Sequence, residues 1–259
     1  MNFKKIIGLF LATLLLCTLP VYANSMDDEC IPYNWYFQKN KEHQQPRLDS
    51  NLKFIEDCGG YYLDHHCKDN VIYLTFDAGY ENGNVEKILD ALDSHQAPGA
   101  FFVLDHLIKS QPQLVKRMAA GGHLVCNHTA KHPDMAEITD RALFEKQLTA
   151  LEKSYTELTG EKLAPFYRPP QGRFTKQNLC YAKDMGYKTI FWSYAYADWD
   201  NQKQPDPTWA KEEILAHTHP GMVILLHPTS ETNAKIMDDL LAAWENMGYR
   251  FGSLEELTA

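Results

Sequence analysis

The sequence contains few basic residues and no basic run. Lysine and arginine total 25 against 34 acidic residues, so the formal net charge at pH 7 is −9. An acidic chain without a basic stretch is a poor ligand for a phosphate backbone, so no nucleic acid is expected as a partner. Internal repeats, low-complexity tracts and Gly/Ser-rich linkers are also missing. A chain of 259 residues is compatible with one domain plus short extensions.

Long hydrophobic runs are missing after the first two dozen residues. The one such run, residues 6–19, follows Lys4 and Lys5 and precedes a small-residue cleavage site at Val21-Tyr22-Ala23. This order is typical of a secretory signal peptide over residues 1–23, which predicts a secreted or cell-wall protein. An uncleaved membrane anchor is the alternative, and only then is a membrane contact expected. No later segment is apolar enough to span a bilayer.

Cysteine is scarce and poorly spaced for chemistry. Of six cysteines, five follow the predicted signal peptide, and this odd number leaves at least one unpaired. None has the spacing of a metal site or a catalytic thiol. Cys58 and Cys67 are candidates to close a small loop, with Cys30 as an alternative partner for either. Cys126 and Cys180 fall in an apolar strand and a helix, where free cysteine usually packs as a small hydrophobe.

Short apolar segments alternate with longer segments of helical spacing along residues 71–257. The predicted strands are rich in β-branched and aromatic residues and cover residues 71–76, 123–126, 164–167, 189–194 and 222–226. The predicted helices cover residues 84–94, 113–120, 139–158 and 234–247. Alternation of this kind predicts an α/β fold with a parallel sheet, of the β/α barrel type.

Residues 24–70 differ in composition from the rest of the chain. Aromatic side chains cluster at residues 34–37 and 60–62, while residues 38–46 are polar. Too few apolar residues are present for an independent core. We therefore predict an N-terminal strap, residues 24–70, packed on the barrel exterior, with a separate binding module as the alternative.

Polar residues stand at the ends of several different predicted strands. They are Asp77, His128, Arg168, Asp198 and His227. A β/α barrel builds its active site from such residues, because the carboxyl ends of its parallel strands meet at one face. We therefore expect these side chains to lie close together.

A pair of histidines suggests a metal ion at this site. His128 and His132 lie four positions apart on a turn that leaves a strand, and their ring nitrogens can converge on one divalent ion. A metal ion there would lower the pKa of its bound water to about 7 and polarise a carbonyl oxygen. The pair alone is weak evidence, and the surrounding polar residues give it weight.

The remaining polar residues fit separate acid and base roles in hydrolysis of an amide or ester. Asp77 is the candidate general base, and Arg168 is the cation that keeps this carboxylate ionised and oriented. His227 is the candidate acid that protonates the leaving amine, with Asp198 orienting its imidazole. The combination predicts metal-assisted hydrolysis.

Five ordered segments resemble the motifs of the polysaccharide deacetylases, carbohydrate esterase family 4, which share the NodB homology domain. They are TFDAG at residues 75–79, HTAKH at 128–132, RPPQG at 168–172, ADW at 197–199 and LLH at 225–227. Residues 34–35 and 79–83 resemble one branch in particular, the PdaA-type delta-lactam-biosynthetic de-N-acetylases of spore-forming bacteria. The resemblance implies a distorted β/α barrel of the NodB type, with residues 71–257 as the catalytic domain.

The resemblance implies de-N-acetylation of N-acetylmuramic acid in peptidoglycan. The expected partner is a glycan strand whose peptide stem an amidase has removed, so that the freed amine cyclises with the lactyl carboxyl group to the muramic delta-lactam of spore cortex. Alternatives are a deacetylase of N-acetylglucosamine or chitooligosaccharides, a xylan esterase, and a catalytically impaired glycan-binding homologue. Retention of His227 favours an enzyme, because a binding protein has no need of a proton donor.

Ala78 departs from the family pattern. The family usually carries two adjacent aspartates at this point, and the second is a metal ligand. With Ala78, only His128 and His132 remain of the ligand set, whereas a catalytic zinc normally has three protein ligands. The change predicts altered metal binding and retained catalysis. The implied cofactor is a divalent metal ion, Zn²⁺ first, with Co²⁺ or Mn²⁺ as alternatives.

Four further residues are assigned to substrate binding. Arg173 is expected to pair with the lactyl carboxylate of the muramic residue, with a solvent-facing arginine at a helix start as the alternative. Trp199 is expected to stack on a sugar face, with a place in the core as the alternative for an aromatic residue near a strand end. The resemblance adds Tyr80 and Leu225, which lie within the matching motifs.

Overall fold

A computed structural model describes residues 28–39, 41–67 and 69–259. The predicted signal peptide, residues 1–23, lies outside the described residues. Within the described ranges, no helix combines the length and the apolar character that a membrane crossing requires.

The strands form a curled parallel sheet, which confirms the prediction of a distorted β/α barrel as a half-barrel. The strands are β1 (Tyr33–Asn34), β2 (Gly60–Tyr61), β3 (Val71–Ala78), β4 (Gly99–Val103), β5 (Leu124–Asn127), β6 (Phe166–Tyr167), β7 (Arg173–Phe174), β8 (Lys188–Ile190), β9 (Tyr194–Ala195), β10 (Met222–Leu226) and β11 (Arg250–Phe251). The main sheet has the order β2-β8-β6-β5-β4-β3-β10-β9, with β11 paired to the start of β3. β1 pairs antiparallel with β7 in a separate ribbon.

Helices connect most of the strands and cover the outer face of the sheet. They are α1 (Phe54–Asp57), α2 (Val85–Ser94), α3 (Asp105–Ser110), α4 (Pro112–Ala120), α5 (Arg141–Thr159), α6 (Lys176–Asp184), α7 (Pro207–His217), α8 (Glu231–Asn246) and α9 (Leu254–Leu257). The four predicted helices are confirmed, with no end moved by more than three residues. The largest shift is at α8, which begins three residues before the predicted start because the Ser230 hydroxyl accepts from the backbone N–H of Asn233 and caps the helix.

Alternation along β3 separates the core from the site. Ile72, Leu74 and Phe76 pack in the apolar cluster shared with the helices. The intervening residues Thr75 and Asp77 point to the opposite face, where both contact a buried arginine. The two-residue period therefore places Asp77 on the inner side of the half-barrel.

The N-terminal strap contributes more than an outer layer. Trp35 and Ile55 pack with Phe174 and Phe191 in one buried cluster. Within the strap, β2 also pairs with β8 and forms an edge of the main sheet. The aromatic residues at 60–62 mark this segment in the sequence, but a strand was not predicted there.

The cysteines are arranged differently from the expectation. Cys58 lies with its Sγ 3.7 Å from Sγ of Cys180, on α6. Cys67, the expected partner, instead contacts Nε2 of Gln45 at 3.7 Å. Cys126 is fully buried as predicted, whereas Cys180 is only partly buried. Packing of the strap against α6 brings together two cysteines that are 122 positions apart.

Candidate active site

The carboxyl ends of the parallel strands bring the predicted polar residues together. Asp77 lies near the end of β3, Arg168 follows β6, and His227 follows β10. A cavity of about 840 Å³ opens at this edge. Its lining comprises Trp35, Tyr36, Phe37, Lys39, Asp77, His132, Gln171, Gly172, Trp192, Ala195, Tyr196, Ala197, Trp199, Leu225 and His227.

Asp77 and Arg168 form a buried ion pair at the floor of this cavity. Nη1 of Arg168 donates to Oδ1 of Asp77 at 2.8 Å, and the arginine side chain is fully buried. The second oxygen, Oδ2, lies 3.5 Å from Nε2 of His128. Burial acts to raise the pKa of Asp77, but its electrostatic interactions with His128 and Arg168 outweigh it and hold this pKa below its ordinary value of 3.8. Asp77 is therefore ionised at neutral pH.

Arg168 is fixed by contacts on all sides. Its Nε donates to the carbonyl of Ile190 at 2.9 Å, and its Nη2 donates to Thr75 Oγ1 at 2.8 Å and to the carbonyl of Phe191 at 3.3 Å. The guanidinium also lies over the ring of Phe102, 4.2 Å from the centroid. These contacts join β3, β6 and β8, so the cation that orients Asp77 has little freedom to move.

His128 is held in one tautomer. Its Nδ1 lies 2.9 Å from the carbonyl of Arg168 and therefore carries the hydrogen, which leaves the Nε2 lone pair directed towards Asp77. Burial lowers the pKa of His128 to about 4. Burial likewise lowers the pKa of His132. Both imidazoles are neutral at pH 7, as a metal ligand must be.

The turn between the two histidines explains how they face each other. Thr129 and His132 both adopt positive φ angles, +72° and +56°. Side-chain contacts support this turn, because Thr129 donates from its backbone N–H to Oδ1 of Asn127 and accepts at Oγ1 from the backbone N–H of His132. The ring centroids of His128 and His132 consequently lie 5.0 Å apart.

His227 and Asp198 form the second functional pair. Oδ1 of Asp198 accepts from Nδ1 of His227 at 2.8 Å, and Oδ2 accepts from the backbone N–H of His227 at 2.8 Å. Asn233, on the first turn of α8, donates from Nδ2 to Oδ2 of Asp198 at 2.6 Å and to the carbonyl of His227 at 3.0 Å. Asn233 was not predicted from the sequence, although its position just after the Ser230 cap is a usable signal.

The pKa of His227 is shifted in the opposite direction to that of Asp77. Burial acts to lower the pKa of His227, but the charge of Asp198 and its hydrogen bond outweigh burial, so this pKa lies above the ordinary value of 6.5. Since Asp198 occupies Nδ1, Nε2 is left to face the cavity. One cavity thus holds an ionised carboxylate and an imidazole with a raised pKa, which is the pattern of a base and an acid with separate roles.

The donor set for a metal ion is incomplete. In the part of the chain that the structure describes, no group of three or more His, Cys, Asp or Glu side chains is arranged to hold a metal. His128 and His132 supply two neutral imidazoles, and Ala78 supplies no ligand atom where a third is expected. Their chemistry fits a divalent ion, but with fewer protein ligands than a catalytic zinc usually has.

Of the four predicted substrate residues, the structure brings two to the cavity. Trp199 and Leu225 line it, and Trp199 is 65% exposed. Tyr80 does not line it, and its hydroxyl instead accepts from Asn201.

Arg173 is also placed differently from the expectation. Its Nε donates to Asp134 at 2.5 Å, its Nη1 donates to Asn34 Oδ1 at 3.0 Å, and its Nη2 lies 3.7 Å from Glu137. It is not among the cavity-lining residues. The reason is the β1–β7 pairing, which sets Asn34 directly opposite Arg173. Arg173 therefore holds the strap in place, and its predicted contact with the lactyl carboxylate has no geometric support.

The strap supplies part of the cavity wall, which the sequence analysis did not anticipate. Trp35, Tyr36, Phe37 and Lys39 all line the cavity. The aromatic run was visible in the sequence, but its composition fits exterior packing equally well. Only the β1–β7 pairing shows on which side of the barrel it lies.

Comparison with known proteins gives a consistent result. The sequence profile described as polysaccharide deacetylase matches residues 64–190. The chain is 37% identical over 247 residues to the peptidoglycan-N-acetylmuramic acid deacetylase PdaA of Bacillus subtilis, covering 95% of this chain and 92% of that protein. It is 41% identical over 227 residues to an uncharacterised 30.6 kDa protein of Geobacillus stearothermophilus, covering 87% and 85%.

The fold agrees with a solved relative. The structure of Bacillus subtilis PdaA, a family 4 carbohydrate esterase, superposes with a TM-score of 0.84 at 38% identity, covering 88% of this chain and 97% of that one. The expected enzyme class is confirmed: the protein is a hydrolase that acts on the amide bonds of N-acetyl groups. The chain belongs to the polysaccharide deacetylase family, carbohydrate esterase family 4.

Proposed function

We propose that the protein removes the acetyl group of N-acetylmuramic acid in peptidoglycan strands whose peptide stem an amidase has cleaved. The observation that carries the proposal is the convergence of the Asp77–Arg168 and His227–Asp198 pairs on one cavity. The similarity to a peptidoglycan-N-acetylmuramic acid deacetylase over almost the full chain supports the choice of substrate. The predicted signal peptide fits action outside the cytoplasm.

Asp77 acts as the general base. Arg168 occupies Oδ1 of Asp77, so Oδ2 is available to take a proton from the attacking water. The lowered pKa of Asp77 keeps this oxygen unprotonated at neutral pH. Because Arg168 fixes the orientation of Asp77, Oδ2 is held in position to accept this proton, as general base catalysis requires.

His227 acts as the general acid. Collapse of the tetrahedral adduct requires a proton on the departing nitrogen, and Nε2 of His227 faces the cavity where that nitrogen would lie. Asp198 stabilises the protonated imidazole and fixes its orientation. The products are acetate and a free amine, and addition of one water balances the reaction.

His128 and His132 would hold the metal ion. When bound, a divalent ion there would supply polarisation of the acetyl carbonyl and of the attacking water. The tautomer of His128, fixed by the carbonyl of Arg168, leaves Nε2 free for this role. Without a carboxylate at position 78, the ion would have one protein ligand fewer and would be bound less tightly.

The free amine explains the proposed end product. Once the acetyl group is gone, the amine on the sugar can attack the neighbouring lactyl carboxyl group, and loss of water gives the muramic delta-lactam of spore cortex. This ring can form only where the carboxyl group is no longer joined to a peptide. Removal of the stem by an amidase must therefore come first.

Mass spectrometry of treated glycan tests this function. Stem-stripped peptidoglycan incubated with the mature protein and then digested should yield muramic residues that lack one acetyl group, with or without the further loss of water. Chitin oligomers and peptidoglycan with intact stems serve as comparison substrates. Acetyl loss confined to glucosamine residues would overturn the proposal.

Replacing Ala78 with aspartate should strengthen metal binding. A carboxylate would add an oxygen ligand to the two imidazoles, and we expect Zn²⁺ affinity to rise about tenfold or more. The rate need not increase, since added negative charge makes the ion a weaker Lewis acid. The measurement is a calorimetric titration of the parent and the variant with Zn²⁺, Co²⁺ and Mn²⁺, alongside activity in chelator and after metal is restored.

Ala78→Asn is the matched control for this titration. Ala78 is fully buried within the main apolar cluster, so either polar substitution lowers stability. Asparagine brings the same bulk without the charge, and only the aspartate variant should regain thermal stability on adding metal. If neither variant binds metal more tightly than the parent, position 78 is not the missing ligand position.

A further inference from the structure

Among the described residues, Lys39 is the one lysine or arginine side chain in the cavity wall. Among the described residues that line the cavity, Asp77 and Lys39 carry the only fixed charges, and Arg168 is committed to Asp77. Arg173 lies elsewhere, in contact with Asp134. We propose that Lys39 binds the lactyl carboxylate that removal of the peptide stem exposes. This inference rests on the proposed function and assigns its substrate selectivity to the strap.

The strap is fixed on both sides of Lys39. On one side, Trp35 donates from Nε1 to the carbonyl of Trp192 at 2.9 Å and from its backbone N–H to the carbonyl of Gly172 at 2.8 Å. On the other side, Nδ1 of His43 lies 2.7 Å from the carbonyl of Thr218. Lys39 therefore extends from a segment that is already held in place. The conformational entropy lost when Lys39 binds a ligand is smaller than it would be for a residue in a free terminus.

The present contacts of Lys39 are weak enough to exchange for a ligand. Its Nζ lies 3.9 Å from Oε1 of Glu213 and 5.3 Å from the ring centroid of Tyr194. Glu213 keeps other partners if Lys39 moves, because Lys41 lies 3.4 Å from Oε2 and His217 lies 3.6 Å from Oε1. A half-exposed lysine in such a contact can turn to a substrate carboxylate without leaving a buried charge unpaired.

The chemistry of the substrate gives this contact a selective value. In unprocessed peptidoglycan the lactyl carboxyl group is part of an amide and carries no charge. After an amidase removes the stem, the same group is an anion. A cation in the cavity wall thus favours processed glycan over both stem-bearing glycan and glucosamine, which has no lactyl group. Selectivity would come from charge as well as from the bulk of the stem.

Kinetics of Lys39→Met test the inference. Methionine keeps an unbranched apolar chain over Tyr194 and removes the charge. We expect KM for stem-stripped muramic glycan to rise about fivefold to tenfold with little change in kcat, and KM for a glucosamine oligomer to change less than twofold. Lys39→Arg should restore most of the affinity. Raising the salt concentration should increase KM of the parent but not of the methionine variant.

Lys41→Met is the matched control. Lys41 also contacts Glu213 but does not line the cavity, so its loss should leave the selectivity of the parent. If Lys39→Met matches the parent on muramic glycan, or if both substrates lose equally, the assignment of Lys39 is wrong while the proposed function stands. If the parent itself does not act on muramic residues, the proposed function fails and the carboxylate contact falls with it.

Discussion

Replacing His227 with alanine is expected to lower kcat by about 10²–10⁴-fold, the usual contribution of a general acid. The backbone N–H of residue 227 still donates to Asp198 in the variant, and no core volume is lost, because the side chain lines the cavity. The protein should therefore remain folded. Steady-state kinetics measure the loss of kcat, and circular dichroism on the same preparation checks that the variant is folded. Turnover within about threefold of the parent would remove His227 from the mechanism.

The pH profile provides an independent control on this role. Because Asp198 raises the pKa of His227, the acid stays protonated to higher pH than a free imidazole, and activity should fall as pH rises through that raised pKa. Asp198→Asn removes the charge, so the pKa falls and the alkaline limb should move to lower pH, together with a loss of kcat. An alkaline limb that stays in place in Asp198→Asn would assign it to another group.

Replacing Asp77 with asparagine should reduce kcat by a similar factor of about 10²–10⁴, because the amide cannot accept the proton of water.

Substitutions of Asp77 also test how much its ion pair with Arg168 contributes to the stability of the fold. Asparagine keeps an oxygen for Arg168 but no charge, whereas Asp77→Ala leaves a fully buried guanidinium without its counter-ion. We expect Asp77→Ala to lose about 3–5 kcal/mol in free energy of unfolding, and Asp77→Asn less.

Urea denaturation at several pH values separates the two effects of Asp77. Its folded-state pKa is held below the ordinary 3.8, so the stability that its charge contributes is complete above that value and is lost as pH falls through the lower folded-state pKa. The gap in stability between the parent and Asp77→Asn should therefore be full at pH 7 and shrink in acid. A gap that is constant with pH would mean that the charge of Asp77 contributes nothing.

The residues at strand ends were the most predictable part of the site. Asp77, Arg168 and His227 each follow an apolar segment, and the carboxyl ends of parallel strands must share one edge, so sequence order and strand direction together bring them close. The strand boundaries were less predictable. Residues 189–194 form the end of β8 and the start of β9, and β4 (Gly99–Val103) was not predicted because its short apolar run lies close to a helix.

Contacts between segments that are distant in the chain could not be predicted from the sequence, and the reason is the same for each. The direction of the Arg173 side chain depends on the pairing of β1 with β7. This pairing brings Arg173 into contact with Asn34, which lies 139 positions earlier in the chain. Asn233 and Lys39 likewise reach the site through the cap of α8 and the path of the strap. Local periodicity carries no information about such pairings. The sequence can therefore show that a residue is suited to a role without showing which residue it contacts.

The docking of Trp35 on Trp192, across 157 positions, sets an order of events during synthesis. The strap leaves the ribosome early, yet the surface that receives it is made only after residues 172–192 have followed. Contacts of this range form slowly in folding. A nascent or truncated chain that ends before Trp192 would contain Lys39 and the aromatic run but would lack the wall they belong to. The cavity that binds the substrate can therefore form only late, when most of the barrel has been translated.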